Sequence, residues 1–70
     1  MPKTIYDVRI GMTQSEVDAI LSSGSLVGQS SSSGGQTCST YRYRDSEKYY
    51  LLTFCDGKLD SWISDGYIED

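Results

Sequence analysis

The dipeptide Asp56-Gly57, with alternating residues on either side of it, constrains this 70-residue chain more than any other feature. Ahead of it stand Tyr41-Arg42-Tyr43-Arg44 and Tyr49-Tyr50-Leu51-Leu52-Thr53-Phe54, and behind it Leu59 to Ile63. A period of two in residues that favour the pleat points to strands with one face in and one face out. Asp-Gly suits a two-residue hairpin because both central residues tolerate the positive φ that such a turn requires. A three-stranded antiparallel meander is expected over residues 37 to 63.

Its register follows from the alternation. If Asp45 and Lys48 close the first hairpin, Tyr43 faces Tyr50, Tyr41 faces Leu52, Ser39 faces Phe54 and Cys38 faces Cys55. A one-residue slip would put Arg42 and Arg44 on the face of Tyr50, Leu52 and Phe54, which is costly where a face is buried. Continuing through the Asp56-Gly57 turn pairs Phe54 with Leu59, Leu52 with Ser61, Tyr50 with Ile63 and Leu51 with Trp62. One face is then expected to carry Tyr41, Tyr43, Tyr50, Leu52, Phe54, Leu59 and Ile63. The other carries Cys38, Thr40, Arg42, Arg44, Tyr49, Leu51, Thr53, Cys55, Asp60 and Trp62.

A cover for the first face stands upstream. Thr13-Gln14-Ser15-Glu16 is a capping box, in which the Thr13 hydroxyl accepts from the Glu16 amide and the Glu16 carboxylate accepts from that of Thr13. Met12 and Val17 are placed for a hydrophobic staple, Val17, Ile20 and Leu21 form one apolar stripe, and Gly24 offers a left-handed terminus. The expected fold is one α+β domain over residues 1–70, a short N-terminal helix or helices packed on one face of the meander. Residues 1 to 10 suit a helical turn or an extended lead-in. Residues 24–36, with Ser30 to Ser33 and Gly34-Gly35, read as a flexible Ser/Gly loop, and 64–70 as a partly ordered acidic tail.

Composition narrows the chemistry. Six basic and ten acidic residues leave a net charge of −4, which disfavours non-specific nucleic-acid or anionic-membrane binding and favours a basic protein surface as partner. No apolar run approaches the ~20 residues that span a bilayer, and no leader core follows Met1. A cytoplasmic protein is expected for the chain as written, or one of the cell envelope or secreted if a leader has been removed from it. With no histidine, the commonest general base and metal ligand is missing, and two cysteines alone cannot complete a structural zinc site. Asp56 and Asp60 lack the spacing of a calcium loop. The Ser-Gly run has no Gly-Lys-Ser/Thr to make it a phosphate cradle. No cofactor and no catalytic residue is expected.

Two features remain. Cys38 and Cys55 fall opposite one another at a Cα separation of about 4.5–5.5 Å, compatible with a disulfide that would stabilise the fold by roughly 3 kcal/mol in the loop-entropy picture. The alternative is two free thiols on the sheet surface, whereas a bridge would favour an oxidising compartment. The second feature is the uncovered face, where Arg42, Tyr49, Leu51 and Trp62 have the composition of an interface hot spot. The reading that follows is a non-enzymatic protein-binding module. A structural homodimer through the same face, or a small binder of single-stranded nucleic acid stacking bases on Tyr49 and Trp62, are the alternatives.

The segment Ile10-Gly11-Met12-Thr13-Gln14-Ser15-Glu16-Val17, followed by Ile20-Leu21, resembles the opening of the SmpA/OmlA (BamE-like) lipoprotein domains and of the β-lactamase inhibitory protein repeats. The order that follows, a Gly-rich loop, a Tyr-x-Tyr strand, a strand ending Leu-Thr-Phe, an Asp-Gly turn and a strand opening Lys-Leu, is also similar. The likeness covers about residues 5 to 63, with Gly11-Met12-Thr13 and Val17 its most specific part. It implies helices on a three-stranded antiparallel sheet and action by binding other proteins, as an assembly accessory or an inhibitor. It further implies that Tyr49, Leu51 and Trp62 stand where the inhibitor repeats present contact aromatics. The chain departs from that pattern in having no lipobox cysteine and a single unit.

Overall fold

The computed structural model describes residues 4–21, 24–31, 34–45 and 48–67. A 3-10 turn at Ile5–Asp7 precedes the helix α1, Gln14–Ile20. Four strands follow, β1 Ser25–Ser31, β2 Thr37–Asp45, β3 Lys48–Cys55 and β4 Lys58–Tyr67. They form one antiparallel sheet in the order β1-β2-β3-β4.

This corrects the expected fold class, since the sheet has four strands rather than three and a single α-helix lies among the described residues. The extra strand comes from the segment expected to be a flexible loop. An edge strand can be held by backbone pairing alone, and β1 pairs with β2 from Ser25↔Arg42 to Ser31↔Thr37 with a bulge at Val27. The tail is corrected as well, because β4 continues to Tyr67, opposite Lys48; residues 68–70 lie outside the described residues.

The β2–β3 ladder has the register that the alternation predicts, from Cys38↔Cys55 to Asp45↔Lys48. Asp56 and Gly57 take φ of 52° and 82° in the turn after it. Beyond that turn the ladder shifts. Phe54 pairs with Leu59 but Thr53 pairs with Ser61, so Asp60 is an extra residue and Ser61 to Ser64 change face, up to a second shift between Tyr50↔Ser64 and Lys48↔Tyr67. Leu52 therefore meets Trp62 and Leu51 meets Ile63.

Both helical pieces are capped by their own sequence. Thr13 and Glu16 close the capping box on α1, and Thr4 and Asp7 close a second one on the 3-10 turn. Ile5, Val8, Val17 and Leu21 pack with Tyr43, Tyr50, Leu52, Phe54 and Leu59 into one core, with Met12, Ile20, Tyr41 and Trp62 against its margin. The N-terminal segment is tied in by three backbone-linked contacts. Ile5 N–H donates to Asp45 Oδ2 at 3.0 Å, Gly11 N–H to Leu59 O at 2.8 Å and Leu59 N–H to Met12 O at 2.7 Å. The Cα trace is 15 Å through its thinnest direction, room for one layer on the sheet and not for a layer on each side.

Gly24 plays a part other than the left-handed terminus expected of it. The helix ends with Leu21 in extended backbone, and a Cβ at Gly24 would stand 2.8 Å from the Tyr43 ring. Glycine is needed there for close approach to the buried ring.

Candidate functional site

The face of the sheet away from α1 is the candidate site. Its members are fixed by strand register. Arg42↔Leu51↔Ile63 form one row across β2, β3 and β4, Arg44↔Tyr49 lie on one side of it and Thr40↔Thr53↔Ser61 on the other. The row beyond that is Cys38↔Cys55↔Lys58 at the Asp56-Gly57 end.

Arg42 organises the centre. Its Nε–H donates to Asp65 Oδ2 at 3.0 Å, reaching from β2 across β3 to β4, and its guanidinium lies 5.3 Å from the centroid of the Tyr49 ring. The stem thus crosses over β3 and leaves Tyr49 and Leu51 half-buried, as a long side chain does when it covers apolar surface and keeps its head in water. The Arg42 and Asp65 side chains are 49 % and 28 % exposed, so the pair fixes geometry more than it adds stability, about 0–1 kcal/mol. Ile63 stands beside it, 62 % exposed. Below the central row the Thr40 and Thr53 hydroxyls are 3.0 Å apart and hydrogen-bonded. Cys38 and Cys55 are joined by a disulfide, with Cα atoms 4.1 Å apart.

Three of the four residues expected here are brought together: Arg42, Tyr49 and Leu51. Trp62 is not with them. The bulge at Asp60 turns it to the α1 side, half-buried, with its ring edge-on to Tyr50 at 5.4 Å. Ile63, expected in the core, takes its place on the open face. Ile63 and Asp65 are the members that alternation alone misses. One signal was available, the adjacent apolar pair Trp62-Ile63, of which one must face each way. Burying an indole removes more apolar area than burying an isoleucine, which favours Trp62 inside.

On the opposite side, Tyr43 is fully buried and its hydroxyl donates to Asp18 Oδ1 at 2.6 Å. Burial first, and then that hydrogen bond, hold its phenol well above the usual tyrosine range. Its role is to fasten α1 to the sheet.

Among the described residues no three of His, Cys, Asp and Glu come together to hold a metal ion, and no helix is long and apolar enough to cross a membrane. No family model, no curated protein and no solved structure matches this chain.

Proposed function

We propose that the chain is a non-enzymatic protein-binding module, an inhibitor or an assembly accessory, whose contact surface is the open sheet face. The observation that carries this reading is the one-sided cover. Ile5 of the 3-10 turn and Val17 and Ile20 of α1 pack on the same side of the sheet, while Leu51, Ile63 and Tyr49 remain around Arg42 on the other. Three neighbouring strands bearing an aromatic, an arginine and two aliphatic residues have the make-up of an interface centre. The likeness of the Gly11-Met12-Thr13 opening to domains that act by binding proteins supports the same reading, as an analogy only.

Affinity capture from an extract of the native organism, with mass spectrometry of what is retained, tests it. A partner held by the wild type should be lost with Leu51→Ala combined with Ile63→Ala, while circular dichroism and melting stay unchanged. Undiminished capture by that double variant refutes the assignment. Sedimentation equilibrium at micromolar concentration identifies the case in which the partner is a second copy of the chain.

A further inference from the structure

We infer that β1 is the seat of a second copy of this chain, the two pairing edge to edge so that a pair of four-stranded sheets becomes one of eight strands. The inference goes beyond the protein-binding reading above and does not depend on it.

The two edges of the sheet differ. The first residues of β4 already have a neighbour, since Gly11 and Met12 are hydrogen-bonded to Leu59 through the backbone and Thr13 bridges to Lys58. Farther along, Asp60, Asp65 and two register shifts interrupt the strand. Charge and irregular backbone are what keep an edge from being paired. β1 has no strand beyond it among the described residues. Its sequence, Ser-Leu-Val-Gly-Gln-Ser-Ser, holds no charge and no proline, and Leu26 and Val27 are each 51 % exposed. The bulge at Val27 is its one irregularity, after which Gly28 to Ser31 pair with β2 without a break. Alternate residues of an edge strand turn N–H and C=O groups away from the sheet, so this edge is a template for another strand.

Charge decides which strand that is. Residues 19–41 contain no charged side chain, so all ten acidic and six basic residues lie elsewhere. Two copies, each at −4, repel over most approaches, and β1 is where they meet without setting like charges against one another. A foreign strand finds no charge here to select it. A strand of the same small, uncharged residues fits through backbone pairing and the Leu26-Val27 pair, and β1 is itself such a strand. Antiparallel pairing of β1 with its copy about a two-fold axis normal to the sheet occupies both edges at once and closes at two. It leaves both open faces on the same side, with their β3 strands five strand spacings, about 24 Å, apart.

Sedimentation equilibrium of the wild type from micromolar to millimolar concentration, with amide hydrogen exchange on β1 at both ends of that range, tests this. A dimer is expected to form as concentration rises, with alternate β1 amides exchanging more slowly in it. Val27→Lys should weaken it about tenfold or more with circular dichroism unchanged, and the exchange measurement needs no variant. A wild type that stays monomeric, or that associates beyond two, would overturn the inference and leave the protein-binding reading standing. A dimer that survives Val27→Lys, or whose β1 amides exchange as they do in the monomer, would overturn it too, and loss of that dimer in Leu51→Ala plus Ile63→Ala would then put the second copy on the open face.

Discussion

Leu51 and Leu52 are neighbours on β3, yet Leu52 is sealed between α1 and the sheet while Leu51 looks out beneath the Arg42 side chain. The same contrast separates Arg42 from Tyr43 and Thr53 from Phe54. On one side Tyr43, Phe54 and Leu59 interlock with Ile5 and Val17. On the other, threonine pairs, an ion pair and a disulfide hold the surface with little apolar interlock. The first side determines whether the chain folds. The second is held in shape by contacts that leave it free to meet another molecule.

Substitution should separate the two sides most sharply at that leucine pair. Leu52→Ala leaves a cavity in a fully packed site and is expected to cost about 2–5 kcal/mol, enough to unfold much of a domain this small. Leu51→Ala should cost below ~1 kcal/mol, since water already reaches it. Urea denaturation of both variants gives the difference, and equal losses would erase the distinction between faces. Next in size is the disulfide, the strongest constraint on the open side. Reduction, or Cys38→Ser with Cys55→Ser, should lower stability by roughly 3 kcal/mol without moving the ring contacts of the core, as near-ultraviolet circular dichroism would report. A loss of that signal would mean that the bridge, and not the core, orders the strands.

A smaller effect is expected from alkali on the covered side. Because the folded Tyr43 phenol loses its proton at higher pH than the unfolded one, its contribution to stability is complete below about pH 10. It is lost as pH rises above that. Melting temperature should fall more steeply there in the wild type than in Tyr43→Phe, which forgoes about 1 kcal/mol of hydrogen bonding at neutral pH. Parallel curves for the two proteins would show that the Asp18 contact carries no such linkage.

What the sequence makes legible is local and periodic. The pairing of β2 with β3, the positive φ at Asp56 and Gly57 and the Thr13–Glu16 capping box each depend on residues close in the chain, and they appear where alternation and spacing put them. β1 escaped because an edge strand is held by its backbone, so Ser25–Ser31 carries no apolar alternation to announce it. The face of Trp62 was misassigned for a different reason. A bulge leaves no mark on a period-two pattern, and one extra residue at Asp60 exchanges the indole for Ile63. Arg42, Tyr49 and Leu51 were placed correctly relative to one another because all lie before that bulge. Asp65 lay hidden in what read as a tail.

The central claim is that the face around Leu51 and Ile63 meets a partner while the face holding Trp62 belongs to the core. Methyl and indole NMR on the protein, titrated with a partner retained in the affinity capture, tests this most directly. The account predicts shifts concentrated at the Leu51 and Ile63 methyls, with the Leu52, Leu59 and Val17 methyls and the Trp62 indole left in place. Shifts centred on the Trp62 indole, with Leu51 and Ile63 unmoved, would contradict it.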